Sequence, residues 1–296
     1  MTVNTNVYTP GVLSQHVLSL TDRFAVLHNP LAHQIVVDIE SKIASPQTVL
    51  SFDVFDTLLL RNHRAELTRF YDVSGLVASL LAQRYQESIR PEDVLMARLM
   101  ANRLSYRLSP TRDGCREGTI TDIYRLILEQ LRVPATESTI QACIEIELAY
   151  EVTQLTVNLP LLAMTQHHIA RGGRAIYVSD MYLGVAHINQ LLTRLGVEVS
   201  LFAATYSSAD TILSKRSGKI WPLILNELGI TAAQMLHIGD SLVSDYQSPR
   251  TQGIPAVHVP IPLQMRRDIM ADHGALVHQL ESMHLPIQSW MAPPHW

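Results

Sequence analysis

The chain has 296 residues, 47% of them hydrophobic and 17% charged, which supplies material for one large or two moderate cores and excludes a disordered tail protein. Its 23 Lys and Arg against 27 Asp and Glu leave a net charge of −4, so no global basic field points to nucleic acid or an anionic membrane. Small molecules or proteins are the expected partners. No apolar run approaches the ~18 to 20 residues of a membrane span and the N-terminal stretch lacks the order of a signal peptide, so a cytoplasmic location is expected. Cys115 and Cys143 are the two cysteines, too few for a disulfide scaffold and without zinc-site spacing.

Residues 1–46 begin polar and then show apolar residues at helical spacing from Leu31 to Ile43, which predicts an N-terminal helical extension. The first strand signal is Thr48–Phe55; others follow at Ala175–Asp180, Leu201–Ser208, Met235–Asp240 and Ala256–Val259. Between them Ala186–Leu195 and Lys219–Leu228 read as helices closed by Gly196 and Gly229. Strands apolar on both faces, alternating with helices, predict an α/β fold with a parallel sheet whose ligands gather at the carboxyl ends of the strands.

The stretch from Glu66 to Leu159 is continuously helical in pattern, with breaks near Arg90-Pro91, Ser109–Gly118 and Val133-Pro134. It reads as a four-helix insert, with Thr121-Asp122 as one helix start. After Pro262 one more helix is expected to about Met283, followed by a tail holding Trp290 and Trp296.

Polar residues fall at the strand ends in a particular order. Phe52-Asp53-Val54-Phe55-Asp56-Thr57-Leu58, then Val178-Ser179-Asp180-Met181-Tyr182, then Lys215, then His237-Ile238-Gly239-Asp240-Ser241 with Asp245 resembles the four motifs of the haloacid dehalogenase (HAD) superfamily. The resemblance covers about residues 48–260 and implies a Rossmannoid core, 47–62 and 160–262, with a C1-type helical cap at 63–159 and a C-terminal helix and tail at 263–296. Ser51–Arg61, Thr121–Tyr124, Ser179–Leu183 and Lys215–Gly218 are further similar to a bacterial HAD group associated with glycosyltransferases.

Phosphoryl transfer needs an in-line nucleophile, a cation to offset the phosphoryl oxygens and fixed donors around them. Asp53 is the expected nucleophile, forming an acyl-phosphate that water hydrolyses. The resemblance implies Mg²⁺ as cofactor, with Asp53, Phe55, Asp240 and Asp245 at the metal positions; a hard cation also suits paired carboxylates. Ser179 and Lys215 would bind and neutralise the phosphoryl group, with Lys219 as the fallback lysine, and Thr57, Asp180 and Arg61 are expected near substrate. The general acid usual two residues after the nucleophile is Phe55 here, and Asp56 either replaces it or caps the turn beside Arg61.

The expected activity is Mg²⁺-dependent phosphohydrolysis or phosphotransfer on a small phosphorylated metabolite such as a sugar phosphate. A weakly catalytic binding module and a hydrolase of a non-phosphate bond through an Asp53 ester are the alternatives. Arg98, Arg103, Arg107, Arg112 and Arg116 read either as a solvated face or as contacts to an acidic substrate. His167, His168, His273, His278 and His284 read as surface residues, and His237 as a satisfied core histidine. The terminal extensions are the expected surfaces for a homo-oligomer or protein partner, with a tail folded onto its own domain as the default reading of Trp290 and Trp296.

Overall fold

A computed structural model describes residues 39, 41–43 and 45–294; most of the expected helix at Leu31–Ile43 lies outside them, as does Trp296. Strand β1 (Val49–Phe52) leads into the short β2 (Leu59–Arg61) and then four helices, α1 (Glu66–Tyr85), α2 (Pro91–Leu108), α3 (Ile120–Gln130) and α4 (Glu137–Gln154). The chain returns through β3 (Leu155–Val157), α5 (Leu159–Ala170), β4 (Arg174–Ser179), α6 (Val185–Arg194), β5 (Ala204–Ser207), α7 (Ile220–Leu228), β6 (Met235–Gly239) and β7 (Ala256–His258). Helix α8 (Leu263–Ser282) and a helical turn at Ile287–Trp290 complete the order.

Strands β5-β4-β1-β6-β7 form one sheet in that order, with every pairing parallel. The fold is therefore the expected α/β class, a Rossmann-like core with a helical insert. Leu50, Phe52, Tyr177, Leu236 and Ile238 are wholly buried in the larger apolar cluster, while Val49, Ile176, Val178 and Met235 belong to a second one with Trp221 and Ile224. The sheet is thus covered on both faces, which is why its strands read as unbroken apolar runs. From β1 the chain steps outward to β4 and β5, then crosses to β6 and β7 on the other flank. The crevice outside β1 and β6 lies where the direction reverses, a position at which such sheets hold ligands.

Strand β1 ends three residues earlier than the sequence pattern suggests. Asp56 adopts a left-handed φ of 63°, and bonds from Leu59 N to Val54 O (2.8 Å) and Asp56 N to Leu59 O (2.7 Å) turn the chain back. Strand β5 also starts late, because Val199–Leu201 forms a 3₁₀ turn instead.

β2 and β3 pair antiparallel at the point where the four-helix insert leaves and rejoins the core. Apolar residues of α1 recur at Leu67, Phe70, Val73, Val77 and Leu81 and all are buried, so one stripe faces its neighbours. Helix α3 starts at Ile120 rather than after Thr121: the Thr119 side chain accepts from Asp122 N at 3.1 Å and is the actual cap. Helix α1 has Ala65 at its N-cap and no local acceptor. Asp272, on α8, accepts from Ala65 N (2.8 Å) and Thr68 Oγ1 (2.6 Å) instead, so a residue 207 positions away caps the first insert helix.

The insert closes on a buried ion pair. Arg98 of α2 meets Glu147 of α4 through two bonds of 2.6 and 2.8 Å, and Tyr124 of α3 and Tyr182, from the loop after β4, donate to the same carboxylate at 2.6 and 2.8 Å. The guanidinium also lies 4.6 Å from the Phe70 ring centroid. Arg98, 3% exposed, is therefore neither a solvated residue nor a substrate contact. His168 and His273 are likewise buried, contrary to expectation; His168 Nε2 bonds Thr48 O at 2.7 Å and ties α5 to the segment before β1.

Candidate active site

Three adjacent strands deliver the polar residues. Asp53 follows β1, Ser179 ends β4 and Asp240 follows β6, so parallel pairing alone brings their Cα atoms to one edge. Asp53 is held in the sheet by its N–H, which donates to Ile238 O at 2.8 Å. The loop after β5 supplies Lys215, whose Nζ lies 2.5 Å from Asp53 Oδ1 and 2.6 Å from Asp245 Oδ1. Lys215 is buried and Lys219 is exposed at the start of α7, so the fallback lysine plays no part. Asp180 fixes this loop by accepting from Lys215 N (2.8 Å) and Arg216 N (3.0 Å).

Asp245 sits on a single π-helical turn, Leu242–Gln247, a wide-turn geometry that recurs at functional sites. Its Oδ2 accepts from Ser241 N at 2.9 Å. Gly239 is required by this packing: a Cβ there would lie 2.4 Å from Asp245 Cγ. His237 Nε2 lies 3.1 Å from Asp245 Oδ1 and its Nδ1 2.8 Å from Ser51 Oγ. A carboxylate only accepts, so Nε2 carries the proton and Ser51 donates to Nδ1. Burial lowers the pKa of this imidazole against the opposing pull of Asp245, which keeps it neutral and leaves Lys215 as the cation of the cluster.

Donor oxygens of Asp53, Asp240 and Asp245 all lie within 4.8 Å of one another. Three carboxylates against one ammonium are unbalanced, and two of the three are shifted accordingly. Burial pushes Asp53 up to about 7 despite Lys215, and burial followed by repulsion from Asp53 and Asp56 drives Asp240 far above the carboxylate range. Asp245 alone is held low, because Lys215 and His237 outweigh its burial. An excess of hard oxygen donors around one point is the donor set a divalent cation such as Mg²⁺ takes. Phe55 has no side-chain donor and contributes at most its main-chain carbonyl.

The carboxylates face a cavity of about 460 Å³ lined also by Ser179, Asp180, Tyr106 and Glu117. Phe55 lines it at the place where the acid was expected, with the Arg61 guanidinium 4.4 Å from its ring centroid. Asp56 Oδ2 accepts from Arg61 Nη1 at 2.9 Å; Asp56 and Arg61 are thus paired at the cavity wall. Thr57 is wholly buried and its side chain is not part of that wall.

Glu117, His237 and Ser51 were not singled out from sequence as site residues. Glu117, in the loop between α2 and α3, accepts from Ser208 Oγ at 3.0 Å, and burial raises its pKa. No spacing rule marks it, since the loop reaches the site only through the packing of the insert. The Ser51–His237 contact was implicit in two strand sequences, but only the β1–β6 register sets the two side by side.

Arg107, Arg112 and Arg116 do not line the cavity; Arg112 bonds Thr211 O at 2.8 Å and Arg116 bonds Ser109 O at 2.6 Å. Arg116 thus braces the start of its own loop, and Arg112 ties that loop to the segment after β5. No described helix is long and apolar enough to cross a membrane, and Cys115 and Cys143 are buried free thiols.

No protein-family model and no curated protein matches the sequence. Among solved structures the chain is similar to a 2-haloacid dehalogenase from Pseudomonas syringae pv. Tomato, at 17% identity over 71% of this chain and 84% of that one with a TM-score of 0.49. It is similar to a HAD phosphatase from Thermococcus onnurineus at 16% identity, 72% and 86% coverage and a TM-score of 0.47. A haloacid dehalogenase-like family hydrolase from Xanthomonas campestris gives 17%, 72% and 82%, and 0.45. Likenesses this distant leave substrate and chemistry to rest on the residues themselves.

Proposed function

We propose that the chain is a HAD-type phosphohydrolase acting on a small phosphorylated metabolite, with residues 63–159 as a helical cap over the site. The observation that carries this is the bridge from Lys215 to Asp53 and Asp245, 2.5 and 2.6 Å, beside Asp240 at the carboxyl ends of adjacent parallel strands. Asp53 attacks phosphorus, the ester oxygen departs with the substrate's alcohol, and water then releases inorganic phosphate from the aspartyl-phosphate. Ser179 donates to a phosphoryl oxygen and Lys215 offsets charge between nucleophile and phosphate. Mg²⁺, held by Asp53 and Asp240 with Asp245 behind, would supply charge neutralisation at the same oxygens.

With Phe55 in the usual acid position, the leaving oxygen needs another proton source. Glu117 faces the same cavity and keeps its proton to higher pH than an exposed glutamate, whereas Asp56 is engaged with Arg61. Glu117 is therefore assigned the acid role. Phe55 also favours a second reading, hydrolysis of a non-phosphate bond through an Asp53 ester, which needs no strong acid.

Phosphate release from an aryl phosphate, with and without Mg²⁺, separates the two. The phenolate leaves unprotonated, so the assay depends on nucleophile and cation alone. Mg²⁺-dependent release that falls at least ~10³-fold in Asp53→Asn is the expected result. Release insensitive to the substitution overturns the proposal, and turnover of a haloacid in chelator would establish the second reading.

A further inference from the structure

A second cavity, also about 460 Å³, adjoins the first, and Asp56, Arg61 and Glu66 line both. Its remaining walls come from α1, α2 and the chain end, Trp290 to Pro294. The tail is fixed as a wall: Arg103 Nη2 donates to Ser289 O (2.9 Å) and Trp290 O (2.8 Å), and the guanidinium lies 5.0 Å from the Trp290 ring centroid. Arg103 thus borders a cavity after all, though not the one holding Asp53.

The lining is cationic. Arg61, Arg64, Arg69 and Arg103 face it against the carboxylates of Asp56 and Glu66. Arg69 is the unusual member, only 6% exposed. The oxygen with which it forms an ion pair, Glu151 Oε1, is 3.8 Å from its Nε, and neither Nε nor Nη1 has a hydrogen-bond partner among the described residues. Asn102 Oδ1, on the neighbouring helix and in the same lining, is also buried without a donor among the described residues. Arg98, one turn before Asn102 along α2, makes two short bonds to Glu147, so this region of the cap is able to satisfy an arginine fully. Buried guanidinium donors without hydrogen-bond acceptors are unfavourable even beside a distant counter-charge. Such a site becomes favourable when an anion fills it.

We propose that this second cavity is a distal subsite that receives an acidic group, a carboxylate or a second phosphate, at the far end of the substrate's leaving portion. Arg69 is its main donor and Asn102 accepts from a neighbouring hydroxyl of the same ligand. The inference rests on the phosphoryl-transfer reading of the adjoining site and narrows its substrate class to phosphomonoesters of hydroxy acids or sugar bisphosphates. The apolar faces of Trp290 and Pro293 close the subsite against larger groups.

Matched phosphate esters with and without the second acidic group test this: phosphoglycerate against glycerol phosphate, phosphogluconate against glucose phosphate, and fructose bisphosphate against fructose monophosphate. The expected result is a kcat/KM at least about tenfold higher for an acidic member than for its neutral counterpart, with the ratio collapsing toward one in Arg69→Met. The first two pairs report a carboxylate and the third a phosphate. Asn102→Ala removes no interior charge and is expected to shrink the same ratio about threefold, so the test survives if Arg69→Met does not fold.

The same ligands titrated calorimetrically into Asp53→Asn give the preference without turnover. Acidic members preferred by that protein, with no turnover by the wild type, would sustain the subsite while phosphoryl transfer fails. Turnover with equal kcat/KM in all three pairs, unchanged by Asn102→Ala, would overturn the subsite and leave phosphoryl transfer intact. Absence of any preference in both assays overturns it as well.

Discussion

The protein buries two charged clusters less alike than their burial suggests. In the cap, Arg98 and Glu147 are balanced one against one, and Tyr124 and Tyr182 fill the remaining acceptor positions of the carboxylate. Burial raises the Glu147 pKa, but Arg98 and the two tyrosines outweigh it and hold the group below its usual range. At the strand ends Lys215 faces three carboxylates, and two of them, Asp53 and Asp240, are pushed upward. A closed, neutral cluster holds elements together; an open, unbalanced one is poised to take up something of opposite charge.

The sharpest way to break this comparison is to remove one acid from each. Glu147→Gln leaves Arg98 buried without its counter-charge and is expected to lower stability by ~3–5 kcal/mol in urea unfolding. Asp240→Asn in chelated protein relieves repulsion and is expected to raise stability, by about 1 kcal/mol. Equal destabilisation by both would mean that the strand-end cluster is structural like the other.

Their pH dependences should run in opposite directions. The Glu147 contribution is fully present above its unfolded pKa of 4.5 and is lost as pH falls through the depressed folded value. Asp53, raised from 3.8 to about 7, contributes stability below pH 3.8 that is lost as pH rises through about 7. Thermal melts of chelated protein should therefore decline from mildly acidic to neutral pH as well as in strong acid, and Mg²⁺ should abolish only the neutral-side decline. A neutral-side decline that persists with Mg²⁺ would disconnect the cation from Asp53.

The smallest effect concerns the proton source. Glu117→Gln is expected to slow alkyl phosphates about tenfold more than aryl phosphates, since only the former need a protonated leaving group. A uniform loss on both would place Glu117 in binding rather than proton transfer.

Much of this is legible in the sequence. Strand-end residues Asp53, Ser179 and Asp240 could be read because parallel strands are continuous apolar runs with punctual polar ends, and the helix ends at Gly196 and Gly229 because a left-handed cap favours glycine. The role of Arg98 is not legible in the sequence, because a charge on a helical pattern looks solvated until its partner, 49 residues away, is brought in by packing. The N-cap of α1 was unreadable for the same reason, its acceptor Asp272 being on the last long helix.

By itself, then, the amino-acid order determined the alternation of strands and helices, the position of the four-helix insert and the residues at the tips of the central strands. Those follow from local periodicity and from chain turns, which depend on neighbours a few positions apart. The tertiary structure decided which lysine meets Asp53, that Asp56 pairs with Arg61 beside Phe55, that Glu117 overlooks the strand ends, and that Arg69 lies beside a second cavity with two nitrogens unbonded among the described residues. Each of these depends on charges desolvated together by elements far apart in sequence, and desolvation is a property of the packed molecule rather than of any segment of it.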